Sequence, residues 1–202
     1  MKIICIGRNY PLHASELGNI TPKEPIIFLK PDTAIHNLDL PYYLPDFSNE
    51  LHYEVELVIK ICKQGKYIAE KFASSYYQEI GLGIDFTARD LQKNLQSQSL
   101  PWELSKSFDG SAIIGKFFPK EDFPISNLSF SLLKNKEIVQ TGNSTQMIWQ
   151  IDQLIAYVSK FFTLRTGDLL FTGTPAGVGR VVSGDILEGF LEQQKAFSLR
   201  IC

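Results

Sequence analysis

His52-Tyr53-Glu54-Val55-Glu56-Leu57-Val58-Ile59-Lys60-Ile61-Cys62 decides how this chain folds. Tyr53, Val55, Leu57, Ile59 and Ile61 face one way, and His52, Glu54, Glu56, Val58 and Lys60 face the other. That period of two predicts a β-strand. Glu54 and Glu56 then share a face, roughly 7 Å apart at Cα. Taken alone, the pair reads as the solvated face of a half-buried strand. If the face is closed over instead, two adjacent carboxylates repel, are costly to desolvate and need a cation.

Working outward, Ile3–Ile6 reads as a first strand ended by Gly7-Arg8-Asn9-Tyr10-Pro11. Pro11 opens a short helix through Leu12–Leu17, with Gly18-Asn19 as its stop. Ile26–Leu29 is a second apolar run, and Pro31–Ser48 reads as a long surface excursion. Ile68–Ile80 is weakly helical and Gly81–Asp85 strand-like, and Thr87 and Asp90 have capping-box spacing before a helix through Leu91 and Leu95. Ile113–Phe118 and Leu128–Lys134 are strands, with Asn135-Lys136 turning the second into Glu137–Gln140. Ile148, Ile151, Leu154, Ile155, Val158 and Phe162 form an apolar stripe, so Ile148–Phe162 is the strongest helix, capped by Ser144 or Thr145. Leu169–Thr172, a Gly-rich bend and two closing strands around Glu192–Lys195 follow. Short strands outnumber helices without regular alternation, which predicts an α+β fold.

The whole chain bounds the function. At 202 residues, 44% hydrophobic and 21% charged, it suits one folded domain. A formal charge of -2 without a basic run offers no field for nucleic acid or an acidic membrane. Cys5, Cys62 and Cys202 are isolated, against both a disulfide framework and a thiolate zinc site. The apolar run at the start is too short for a signal sequence, and no segment is suited to span a bilayer, so the expected location is cytoplasmic.

Several residues could carry chemistry. Asp85, where a strand meets a helix, adds a third carboxylate to Glu54 and Glu56; an all-oxygen set suits Mg²⁺ or Mn²⁺ better than zinc. His13 and Glu16, three apart on one short helix, are either incidental surface residues or a dyad in which Glu16 orients His13 as general base. Arg89 and Gln92 lie one helical turn apart. Lys106, between a Pro-Trp and an Asp-Gly turn, is either a surface lysine or a group that stabilises developing negative charge. Phe171-Thr172-Gly173-Thr174-Pro175-Ala176-Gly177-Val178-Gly179 lacks both G-K-[ST] and G-x-G-x-x-G, so it is no nucleotide loop. Its backbone N–H groups near Thr174 could still bind a carboxylate.

Taken in order, Gly7-Arg8-Asn9-Tyr10 with His13 and Glu16, Phe28-Leu29-Lys30-Pro31, Leu51–Leu57, Asp85–Gln92, Lys106-Ser107-Phe108-Asp109-Gly110 and Gly167-Asp168 with Thr172–Gly179 resemble the fumarylacetoacetate hydrolase family. The resemblance is to its short single-domain acylpyruvase branch. It implies a mixed β-sandwich roll with few helices over 1–202, a lid segment around 11–22, and a homodimer. It places Mg²⁺ or Mn²⁺ on Glu54, Glu56 and Asp85, the dyad on His13 and Glu16, and substrate contacts on Arg8, Arg89, Gln92, Lys106 and Thr174. The implied reaction is hydrolytic C–C cleavage of a small acylpyruvate through a pyruvate enolate. Alternatives on the same site are an oxaloacetate decarboxylase, a 2-keto acid isomerase or tautomerase, or a non-catalytic keto-acid-binding protein.

Overall fold

The computed structural model describes residues 1–16, 18 and 22–202. In chain order it contains β1 Ile3–Gly7, α1 Pro11–Glu16, β2 Ile26–Lys30, β3 Leu51–Tyr53, β4 Val55–Ile61, α2 Glu70–Ala73, β5 Tyr77–Asp85, β6 Thr87–Ala88 and α3 Arg89–Ser97. These are followed by α4 Glu103–Lys106, β7 Ala112–Pro119, β8 Ser129–Lys134, β9 Glu137–Asn143, α5 Ile151–Phe161, β10 Leu169–Phe171, β11 Gly179–Arg180, β12 Ile186–Leu191 and β13 Gln194–Arg200. Among the described residues a six-stranded sheet has the order β2-β1-β10-β4-β5-β7, a four-stranded sheet β13-β12-β8-β9, and a small one β11-β3-β6. Only β1 and β10 pair in parallel in the six-stranded sheet. The α+β class expected from the strand pattern is observed, with mostly antiparallel sheets and few helices as the resemblance implies.

The alternating stretch folds as two strands. β3 ends at Tyr53 and pairs with β6 and β11, while β4 starts at Val55 inside the six-stranded sheet. At the break the Val55 N–H donates to Gln140 Oε1 at 2.9 Å, and the Asp85 N–H donates to the Glu54 carbonyl at 2.8 Å. Both faces of β4 are then covered. Leu57, Ile59 and Ile61 enter the main core with Leu82, Ile84, Phe130, Leu132, Leu187 and the Leu154, Ile155 and Val158 stripe of α5. Val58, on the face of Glu54 and Glu56, packs into a second cluster with Ile3, Cys5, Ala34, Ala112, Leu169 and Phe171. The solvated-face reading of the two glutamates is thereby overturned.

Other local expectations change where a distant partner outcompetes a local one. The Thr87/Asp90 capping box does not form. Asp90 accepts from the Ser48 hydroxyl at 2.6 Å and the Asn49 N–H at 2.8 Å, and Ala88 occupies the uncapped helix start. α5 begins at Ile151 behind Gln150, because the Ile148 N–H donates to the Asn9 carbonyl at 2.8 Å and so stays out of the helix. Ser144 and Thr145 belong instead to a single 3-10 turn capped by Asn143. Within 68–80 only Glu70–Ala73 is α-helical; Tyr77 and Ile80 are drawn into pairing with Ile61 and Ile59. The 31–48 excursion is anchored by bridges Ile35–Ala112 and Tyr42–Ile201. Asn135 and Lys136 form the expected turn with φ of 54° and 71°. Of the segment around 11–22, Leu17 and residues 19–21 lie outside the described residues.

Gly83, opposite Glu56 in the β4–β5 register, has no room for a side chain: a Cβ would lie 2.4 Å from the Ile113 carbonyl and 2.9 Å from the Phe171 ring. Gly83→Ala should lower unfolding free energy by about 1–3 kcal/mol, read as a lower urea midpoint at unchanged slope.

Candidate active site

Three carboxylates meet where β4 begins and β5 ends. Glu54 is 4% exposed, Glu56 2% and Asp85 0%, and each offers an oxygen within 4.8 Å of the others. Bringing like charges together in a dry place is unfavourable unless cations are supplied, and three elements supply them. From β2, Lys30 Nζ lies 2.7 Å from Asp85 Oδ1 and donates to Ser111 Oγ at 2.9 Å and to the Lys106 carbonyl. From α4, Lys106 Nζ bridges Glu54 Oε2 at 2.7 Å and Asp85 Oδ2 at 2.6 Å. From the start of α3, Arg89 pairs with Glu54 Oε1 and donates to Gln92 Oε1 at 2.6 Å.

The charges set the protonation states. Burial alone would raise the Glu54 carboxyl, but Lys106 and Arg89 against it hold its pKa well below the usual carboxylate range. Glu56 is driven the other way. Burial, reinforced by Asp85 and Glu54, pushes it well above that range, with a partial offset from the Gly173 N–H donated to Oε2 at 2.7 Å. Burial disfavours a charged Lys106, yet Asp85 and Glu54 outweigh it and keep its pKa above the ordinary value.

His13 comes from α1. Its Nδ1 faces Glu16 Oε2 at 3.4 Å, and Glu16 in turn accepts the Gly177 N–H at 3.1 and 3.2 Å. Burial lowers the His13 pKa below 6.5, an effect that attraction to Glu54 and Glu16 only partly offsets. Arg8, His13, Glu54, Glu56, Asp85, Arg89, Gln92, Lys106 and Thr174 all line one cleft. Glu16 stands behind His13, outside the lining. The Thr174 hydroxyl donates to the Val55 carbonyl at 2.9 Å and accepts from Gln140 Nε2 at 3.0 Å, so as placed it holds the bend to β4.

The sequence reading missed three supporting residues. Lys30 ends an apolar strand, and a lone lysine completing such a run was its available signal. Asn9 is fully buried: Nδ2 donates to the Trp149 and Thr172 carbonyls at 3.0 and 2.8 Å, and Oδ1 accepts the Trp149 N–H at 2.9 Å. Gln140, buried on β9, ties Val55 to Thr174 and Pro175. No local pattern marks a buried amide whose partners lie in distant segments.

A divalent ion fits this donor set. The oxygens converge, the Lys106 ammonium already sits between two of the carboxylates as a cation would, and among the described residues Glu56 has no ion-pair partner. All-oxygen ligands suit a hard ion; Glu54, Glu56 and Asp85 would hold it. The fumarylacetoacetate (FAA) hydrolase C-terminal family model matches residues 2–200.

The chain belongs to the fumarylacetoacetate hydrolase family.

Within this family, a mitochondrial oxaloacetate tautomerase of Bos taurus is 41% identical over 188 residues, 93% of this chain and 85% of its own. A mitochondrial oxaloacetate decarboxylase of Dictyostelium discoideum is 41% identical over 189 residues, 93% and 87% of the two chains. A crystal structure of fumarylpyruvate hydrolase from Pseudomonas aeruginosa, in complex with Mn²⁺ and pyruvate, superposes with a TM-score of 0.94 at 36% identity, over 100% of this chain and 89% of that one. No helix among the described residues is long and apolar enough to cross a membrane.

Glu56→Gln should act in opposite directions on metal binding and stability. Removing a buried carboxylate should raise the metal-free unfolding free energy by about 1 kcal/mol, while Mn²⁺ affinity, measured by titration calorimetry, should fall by about 100-fold or more. Unchanged Mn²⁺ affinity would contradict the ligand assignment.

Proposed function

We propose that this protein is a Mg²⁺- or Mn²⁺-dependent enzyme that interconverts the keto and enol forms of a small 2-keto acid, with oxaloacetate as the first candidate. The observation that carries this reading is the meeting, on one cleft, of the buried Glu54–Glu56–Asp85 triad, the Lys106 ammonium and the buried His13 imidazole. The names of the tautomerase and decarboxylase relatives support it.

When bound, the ion supplies Lewis-acid polarisation of the substrate's 2-oxo oxygen. The rest falls to side chains of this chain. A carboxylate only accepts, so Glu16 fixes the His13 proton on Nδ1 and leaves the Nε2 lone pair free. His13 Nε2 then removes and returns the proton at C3. Lys106 Nζ stabilises the oxygen at C2 as it gains charge. Arg89 holds Glu54 in place and is itself fixed by Gln92. α1, tied down through Glu16 and Gly177, acts as the lid that excludes bulk water.

Acylpyruvate hydrolysis, the reaction implied at first by the sequence resemblance, is the second reading. One observation favours it: the Glu16-oriented His13 is equally arranged to activate water. Decarboxylation and hydrolysis would both break C3–C4 and release the same enolate. The first loses C4 as carbon dioxide and the second as the acid formed when water attacks C4, whereas tautomerisation breaks only C3–H.

Assays of oxaloacetate tautomerisation, oxaloacetate decarboxylation and acylpyruvate hydrolysis on the Mn²⁺-loaded protein should rank tautomerisation first in kcat/KM. A higher value for an acylpyruvate would transfer the assignment to hydrolysis. His13→Ala should reduce tautomerisation by on the order of 100-fold or more while Mn²⁺ affinity stays within about threefold.

The pH profile has a definite sign. His13 works as the neutral base and burial lowers its pKa, so kcat/KM should fall on the acid side with a midpoint below 6.5. A midpoint above 6.5, or an acid limb unchanged in Glu16→Gln, would remove His13 from the role of base.

A further inference from the structure

Two buried polar atoms beside the triad have no hydrogen-bond partner among the described residues: Arg89 Nε and His52 Nδ1. Arg89 is 3% exposed, so an idle N–H on its guanidinium has given up its hydration with nothing in return. Its other two nitrogens are engaged, Nη2 with Glu54 Oε1 and Nη1 with Gln92 Oε1. His52 is half-buried on β3 and plays no part in the proton transfer assigned to His13.

Backbone register puts the two side chains together. In the β3–β6 ladder His52 lies opposite Thr87. The Arg89 N–H donates to the Glu50 carbonyl at 2.8 Å, which carries that pairing one step further. Arg89, two positions beyond Thr87, is therefore the diagonal neighbour of His52, within reach for long side chains. The other acceptors of these segments are taken. Glu54 Oε2 receives Lys106, Glu50 Oε2 receives Lys93, and the two Asp90 oxygens hold Ser48, Asn49 and Leu91. Thr87 gives its hydroxyl proton to the Asp85 carbonyl at 3.3 Å, and Arg180, on the other side of His52, is exposed.

The two groups are chemically complementary. A guanidinium only donates, and a neutral imidazole with its proton on Nε2 offers an acceptor at Nδ1. Burial first, and the Arg89 charge second, lower the His52 pKa to about 4, so the ring stays neutral beside the guanidinium. Gln92 on Nη1 and Glu54 on Nη2 leave the guanidinium free to swing about its Cδ–Nε bond. A third anchor, on Nε, would fix its plane and hold Glu54 Oε1 in one place.

We propose that Arg89 Nε–H and His52 Nδ1 are each other's partners, and that His52 thereby positions Glu54 for the metal ion. The role rests on the assignment of Glu54 as a ligand made above. His52 is not among the residues that line the cleft, so it is a positioning residue that acts through Arg89.

The test has two parts. Nuclear magnetic resonance of the Mg²⁺-loaded, nitrogen-15-labelled full chain should correlate the Arg89 Nε–H with an unprotonated His52 Nδ1 through the hydrogen bond. A protonated Nδ1, or no such correlation, would overturn the pairing. Titration calorimetry then measures Mn²⁺ affinity, which His52→Leu should weaken by on the order of 10-fold. His52→Asn, whose Oδ1 takes the place of Nδ1, should stay within about threefold of wild type and keep the Arg89 Nε–H slow to exchange with water. Equal loss of affinity in both variants, or loss in neither, would overturn the positioning role and leave the ligand assignment standing. A thermal midpoint reports folding. Should His52→Leu not fold, His52→Ala takes its place in the calorimetry, and the wild-type spectrum decides the pairing without any variant. Failure of the wild-type protein to bind Mn²⁺ would overturn the metal reading itself, and the positioning role with it.

Discussion

Three carboxylates within 4.8 Å of one another in a dry cleft are the constraint to which the rest of the molecule is fitted. Their mutual repulsion and lost hydration would expel them from any interior lacking positive charge. The fold answers from three directions: Lys30 from the edge strand β2, Arg89 from the start of α3 and Lys106 from α4. None of these cations is close to the triad in sequence except Arg89, four residues beyond Asp85. The correct meeting of β2, β4, β5, α3 and α4 is therefore an electrostatic requirement as well as a packing one.

Amide side chains tie together the segments around the cleft. Asn9 joins the loop after β1 to the chain before α5 and after β10. Gln140 joins β9 to the start of β4 and to the Thr174-Pro175 bend. The glycine-rich segment makes contacts inside the protein. Gly173 gives its N–H to Glu56 and passes so close to Asn9 that a Cβ there would lie 2.7 Å from the Asn9 Cβ. Gly177 gives its N–H to Glu16, linking the bend to the helix that carries His13. One short segment positions a triad member and the dyad together.

On the proposed reading, the same arrangement would suit each of the activities named for its relatives. Tautomerisation, decarboxylation and acyl cleavage all pass through an enolate next to a carboxylate, so a site built to hold that charge serves each of them. What separates them is the group attached to C3 and how the far end of the cleft receives it. In this chain Arg8 and Trp102 are among the residues that line the cleft.

The sequence alone marked most of the strands, because alternation with a period of two survives any packing partner, and it marked residue types that the cleft brings together. His13, Glu54, Glu56, Asp85, Arg89 and Lys106 are recognisable from spacing and resemblance. It could not determine whether the Glu54–Glu56 face was wet or closed. Periodicity reports which residues share a face; what covers that face depends on segments far away, here Ala34, Ala112, Phe171 and the cationic residues around them. The helix ends went the same way: Asp90 and Ile148 found partners in residues 48–49 and 9, more than forty positions distant. Lys30, Asn9 and Gln140 acquired their roles only in three dimensions. A buried charge or amide is defined by its partners, and only the tertiary structure brings those partners within hydrogen-bonding distance.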